Sequence, residues 1–199
     1  GYILKYTYDD SILIVKMYLK NKKNGLFFDC SFENSMFEEM LRFDINPSYD
    51  VDKAAFNLQY GHIFRSTSEN TSTEKAKFEV CGHKFIDYSN NDYGFALIND
   101  SKYGFRIKSG LVSMNLIRSQ NYPCQKQDIG SHKFSFEIYP HENELEYSDV
   151  YRESYNFNRR IQVYNMSPRE FNFQTNNPYV ILDWVKPSFD KKGIVVRMY

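Results

Sequence analysis

Apolar and aromatic residues recur at every second position along nearly the whole chain, and this period of two most constrains what it can fold into. The segment SILIVKMYLK (11–20) alternates as a strand, NKKNG (21–25) supplies turn residues, and LFFDCSF (26–32) returns, which predicts a hairpin. The same alternation predicts strands at 40–45, 55–64, 76–82, 83–88, 93–98, 103–108, 111–117, 133–139, 161–164 and 179–185. Phe and Tyr, 17 of each, fill these runs together with Ile and Val, the residues that pack well on a pleated surface. Turn segments such as SNNDYG, INDSKYG and KSG punctuate them at the spacing of about 8 to 12 residues expected of sandwiches. Only 34–41 and 148–157 compete as helices, both short, and the polar stretch 68–75 reads as an exposed loop. The expected fold is all-β. A large antiparallel β-sandwich is expected over 1–165, with a linker and the first strands of a further small β domain over 166–199.

Charge and cysteine usage narrow the function classes. With 25 basic and 25 acidic side chains the formal net charge is zero, which disfavours nucleic-acid binding and polybasic membrane attachment. Cys30, Cys81 and Cys124 are odd in number and far apart, as suits reduced thiols in a cytoplasmic protein better than a disulfide framework. No run approaches the roughly 20 apolar residues of a membrane-spanning helix, and the opening GYILKYTYDD lacks the order of a signal peptide. The chain opens and closes on strand patterns, so both ends are expected to be cuts in a longer protein.

The search for chemistry is mostly negative. His62, His83, His132 and His141 are scattered, and no HxH, HExxH or CxxC pattern occurs. Walker, GxGxxG and GxSxG patterns are absent as well. Each histidine is therefore expected to be a surface or strand-end residue with a satisfied hydrogen bond. One loop stands out, QNYPCQKQDIGSH (120–132), which follows a strand ending at Arg118 and holds Asp128 and His132. Long loops on rigid β scaffolds often carry function, and the structural alternative is an Arg118–Asp128 ion pair that merely holds the loop. Gly104 is expected to sit where a side chain would be costly, and Trp184 to be buried or at a domain interface.

Five ordered motifs, KFEVCGHKFIDYS (77–89), NDYGFALINDSKYGF (91–105), LVSMNLIRSQNYP (111–123), DIGSHKFSFEIYPH (128–141) and PYVILDWVKPSFDKKGIVVRMY (178–199), carry a resemblance. Together, over roughly residues 50 to 199, the chain resembles the C-terminal β region of glycoside hydrolase family 38 α-mannosidases, especially the cytosolic and vacuolar branch and its bacterial relatives. Phe85, Met36, Ile129 and Ser131 depart from the family pattern. The resemblance implies a zinc-dependent retaining α-mannosidase, with zinc ligands and nucleophile on an N-terminal barrel outside this chain. It implies that this chain holds no catalytic residue or metal site of its own and buttresses the barrel. It further implies α-mannoside glycans as the parent's substrate, a cytoplasmic location, and self-association of the parent as an option. Arg118, Asp128 and His132 are then candidates for a polar cluster approaching the sugar site. A free-standing carbohydrate-binding module is the alternative, and would show a solvent-facing row of two or three aromatics.

Overall fold

The structure, a computed structural model, describes residues 1–108, 110–159, 175–177 and 180–199. It forms two compact units, Gly1–Arg160 and Ile161–Tyr199. The first unit contains β1 (Tyr2–Tyr8), β2 (Ser11–Leu19), β3 (Leu26–Asn34), β4 (Met40–Ile45), β5 (Lys53–Leu58), β6 (Gly61–Ser66), α1 (Ser72–Ala76), β7 (Val80–Cys81), β8 (Phe85–Ser89), β9 (Tyr93–Asn99), β10 (Gly104–Lys108), β11 (Leu111–Arg118), β12 (Gly130–Glu142) and α2 (Val150–Asn158). An eight-stranded sheet runs β1-β2-β3-β12-β9-β8-β5-β6, and a four-stranded sheet runs β4-β11-β10-β7. Every strand pair is antiparallel. The all-β sandwich expected from the period of two is the fold observed.

Alternation decides which side chains enter the core. On β12, Phe134 and Phe136 point between the sheets, where Phe136 stacks on Phe28 at 4.5 Å and meets Phe43 of β4 at 4.6 Å between ring centroids. Val112, Met114 and Leu116 of β11 and Phe105 of β10 complete that core from the small sheet. The residues between them face the other way. Tyr139, with Phe85, Ala96 and Ile98, packs under Leu145 and Val150, so α2 and the turn before it cover the outer face of the large sheet. Phe85 meets Tyr151 edge-on at 5.1 Å, and Phe27 stacks on Phe157 at 6.3 Å. Burying one such ring is worth on the order of 2 kcal/mol, so the helix is anchored by side chains that the sheet presents to it.

Several local expectations give way to specific causes. The run 55–64 is not one strand, because Tyr60 adopts φ +61° and folds it into the β5–β6 hairpin. The run 76–82 shrinks to the two-residue β7, and 68–75 contains the short helix α1. There Thr71 and Glu74 form a capping box in which each side chain satisfies the other's backbone N–H. The segment 34–41 is not helical: β3 extends through Asn34 and β4 begins at Met40. The turn segment INDSKYG does not join two neighbouring strands of one sheet. β9 belongs to the large sheet and β10 to the small one, so this stretch carries the chain across the sandwich. Buried Asn99 starts the crossing, accepting from the Ser101 and Lys102 N–H groups and donating to the His83 carbonyl.

In the second unit, β13 (Leu182–Pro187) pairs with β14 (Ile194–Met198) as a hairpin. The expected strand at 179–185 therefore starts later, and Trp184 is 53 % exposed instead of buried. The expected strand at 161–164 and the boundary at 165 lie outside the described residues.

Gly94 on β9 is a position where the neighbouring backbone itself leaves no room for a side chain. A Cβ there would lie 2.2 Å from Ser89 Cβ and 2.7 Å from the Tyr88 carbonyl oxygen. Gly94→Ala is expected to lower the unfolding free energy by roughly 1 to 3 kcal/mol in a urea titration. An unchanged midpoint would mean that the β8–β9 pairing is looser than described.

Candidate functional site

Arg118 closes β11 opposite Met40 of β4, with its side chain exposed. Among the described residues no ion pair joins it to Asp128. The structure instead brings Asp128 and His132 together through the main chain, since His132 Nε2 donates to the Asp128 carbonyl at 2.8 Å. Asn34, 4 % exposed at the end of β3, ties both ends of the loop. Its Nδ2 donates to Ser119 Oγ at 2.8 Å and to the Asp128 carbonyl at 2.5 Å, while its Oδ1 accepts from the Met36 N–H. Asn34 was legible only as part of a helix candidate, because the pairing of β3 with β12 brings it to the loop. Lys102 feels the charge of the Asp128 carboxylate. Burial over the Phe134 ring pushes its ammonium down, and the charges of Asp100 and Asp128 act against that push.

A second cluster lies on the outer face of the large sheet. His141 of β12 and Asp87 of β8 meet at 2.6 Å, with side chains 4 % and 2 % exposed. The intervening strand β9 presents only Gly94 and Ala96 there, so the two reach each other across it. Ser89 Oγ donates to the other Asp87 oxygen. These are serine, histidine and aspartate, yet the carboxylate sits in the middle and the hydroxyl does not face the imidazole. The serine is therefore not activated, and the cluster is a bridge that locks three strands. Burial alone pushes the imidazole down, but the hydrogen bond and charge of Asp87 outweigh it, and the His141 pKa is raised. The motifs containing HKFIDYS and YPH thus meet in one buried pair. Sequence reading singled out His132, but His141 is the histidine locked in the fold.

The third cluster is an uncompensated acid. Glu137 is fully buried on β12, and neither carboxylate oxygen has a hydrogen-bond partner. Gly25 makes the space: a Cβ there would sit 1.7 Å from Glu137 Oε1. Desolvation first, and then the charge of Glu153, push the Glu137 pKa up to about 7 against the pull of Lys20 and Lys23. Lys23 is itself engaged with Glu153 at 2.5 Å, tying the β2–β3 turn to α2.

Both Glu137 and His141 bind their protons more tightly in the folded chain than in the unfolded one. Their stabilisation is present below the unfolded values and is lost as pH rises through the folded ones, for Glu137 between 4.5 and about 7. Stability is therefore expected to fall from about pH 5 to about pH 8 in denaturant titrations. Glu137→Gln, which cannot ionise, is expected to exceed the native chain at about pH 8 by on the order of 3 kcal/mol. Equal pH profiles for the two would refute a buried ionisable Glu137.

Among the described residues no group of three His, Cys, Asp or Glu side chains could hold a metal ion, and no helix is long and apolar enough to cross a membrane. The implied zinc does not fit the residues described, and no chemistry is assigned to it on this chain.

Comparison with known proteins gives the context for these clusters. The family described as glycosyl hydrolases family 38 C-terminal domain matches residues 3–126, so the leading strands outside the quoted motifs belong to it too. The chain is 37 % identical over 172 residues to Alpha-mannosidase G of Dictyostelium discoideum, covering 81 % of this chain and 16 % of that protein. It is 32 % identical over 155 residues to human Alpha-mannosidase 2C1, covering 74 % and 15 %. Against the crystal structure of an alpha-mannosidase from Enterococcus faecalis V583, the TM-score is 0.77 at 16 % identity, over 94 % of this chain and 23 % of that one, a likeness of fold. The chain spans about a sixth of the length of these two curated relatives. With a family domain matched over more than half its length, the chain belongs to glycosyl hydrolases family 38, as a C-terminal domain.

Proposed function

We propose that this chain is the non-catalytic C-terminal β region of a cytoplasmic, zinc-dependent, retaining α-mannosidase that removes terminal α-mannosides from glycans. In this reading the zinc and the reacting carboxylates lie on the remainder of the parent polypeptide, and the sandwich buttresses that catalytic part. One observation carries the reading: three buried polar side chains of the first unit, Asp87, His141 and Asn34, are engaged with strands and loops instead of facing a substrate. Asp87 and His141 lock three strands, and Asn34 clamps the loop after β11. The names of the curated relatives supply the activity. Arg118 has an exposed guanidinium with no ion-pair partner among the described residues, which leaves it free to reach a sugar that the catalytic part brings to the loop.

A second reading has its own observation. Tyr2, Tyr6 and Tyr8 share one face of β1 and are 69, 55 and 55 % exposed, a row of aromatics such as a carbohydrate-binding module would display. That reading requires glycan affinity from the isolated chain.

The first reading is tested with an aryl α-mannoside and added zinc, on this chain and on its full-length parent side by side. Turnover is expected in the parent alone. Turnover by the chain itself, or none by the parent, would overturn the proposal. In the parent, Arg118→Ala is expected to change stability by less than about 0.5 kcal/mol, as exposed positions usually do, and to lower kcat/KM. An unchanged kcat/KM would remove Arg118 from the substrate's neighbourhood.

A further inference from the structure

The two sheets of the sandwich differ in width, and the mismatch falls on one side. β4 packs over β3 and β12, as the contacts of Phe43 with Phe28 and Phe136 show. β1 and β2 reach past it with no strand of the small sheet above them. Their register places Leu4 opposite Val15 and Tyr6 opposite Leu13, so one apolar face of this overhang looks toward the side of β4. Between them runs a groove of about 700 Å³, floored by those residues together with Cys30, Phe32 and Met36. It is closed at one end, where Tyr8 donates to Glu39 Oε1 at 2.7 Å and the Ser11 and Ser35 hydroxyls meet at 2.9 Å.

The wall of the groove matters as much as its floor. Among the described residues β4 is hydrogen-bonded to β11 on one side only, so its other edge carries N–H and C=O groups that no described strand pairs. The consecutive residues Met40 to Asp44 all line the groove, as an edge presented sideways must. A row of free backbone donors and acceptors beside an apolar floor is the complement of an extended chain with alternating apolar residues. A sugar can stack on the aromatics of β1, but its hydroxyls do not repeat at the spacing of backbone donors and acceptors along a strand edge, as an added strand does.

We propose that this groove seats one apolar strand from the remainder of the parent polypeptide, which pairs with the free edge of β4 and makes the small sheet five-stranded. The inference rests on reading the chain as part of an α-mannosidase polypeptide. Its occupant follows from length. The curated relatives match this chain over only 16 % and 15 % of their own residues, so in this reading a far longer stretch of the same molecule is tethered to this unit. A tethered strand competes at a high effective concentration against any free partner.

The test is amide hydrogen exchange at β4, in the full-length parent and in this chain alone, with Tyr6→Asp made in both. The β4 amides not bonded to β11 are expected to exchange on the order of 100-fold more slowly in the parent. Tyr6→Asp is expected to abolish that difference, while leaving the Tm of the isolated chain, where Tyr6 is exposed, unchanged. Equal exchange in parent and chain would overturn the proposal. So would protection in the chain alone that grows with its concentration, which would assign the groove to a second copy. Protection of the isolated chain by added mannose oligosaccharide would assign it to sugar and overturn the proposal as well. Hydrolysis of the aryl mannoside is read on the same parent sample. A parent that hydrolyses mannoside with β4 unprotected keeps the enzyme reading and loses the strand, and a protected β4 without hydrolysis does the reverse.

Discussion

The first unit depends on covering both faces of β12. This strand pairs with β3 over Gly130 to Ile138 and with β9 over Phe136 to Glu142, so it joins the two halves of the large sheet. Its side chains then alternate between two different demands. Phe134 and Phe136 require the small sheet above them, and Glu137, Tyr139 and His141 require α2 and the neighbouring strands on the other face. Leaving either face wet would forfeit several buried rings, each worth on the order of 2 kcal/mol, against a net stability that is itself only about 5 to 15 kcal/mol. The helix α2 is explained by this: it covers the second face of the large sheet.

The outer face shows how polar groups are accommodated at that depth. Asp87 and His141 compensate each other, and small residues on β9 give them room to meet. Glu137 lacks such a partner and keeps its proton up to about pH 7 instead, with Lys20 and Lys23 acting against that from the turn that Gly25 keeps open. Removing one member of a buried pair typically costs about 3 to 5 kcal/mol, because the other is left charged without water. The polar motifs by which the chain resembles its family therefore have a structural reason to exist that needs no substrate.

Much of this was legible in the sequence because a strand's period is local. β2, β4, β9 and β11 lie within two residues of the runs read from alternation. What failed was non-local. NDSKYG carries ordinary turn residues, and only the pairing of β10 with β11 and β7 shows that the chain changes sheets there. AFNLQYGHIF keeps its alternation through the turn, and the left-handed residue that breaks it is Tyr60, not a favoured turn type, so Gly61 beside it is the sole marker at the turn. At the site, Asp128 and His132 lie close enough in sequence to be paired by eye, whereas Asp87–His141 is separated by 54 positions and Asn34–Asp128 by 94. Such contacts exist only once the register of β3, β9 and β12 is known.

The central proposal is that Asp87, His141 and Asn34 serve the fold and that any chemistry of the longer polypeptide lies outside this region. The most direct measurement is the activity of the full-length parent carrying His141→Asn, normalised to its folded fraction and read beside its Tm. The account predicts a lower Tm with kcat/KM retained in the molecules that remain folded. A retained Tm with kcat/KM reduced by about 100-fold or more, the range of a lost acid or base, would contradict it and place His141 in the reaction.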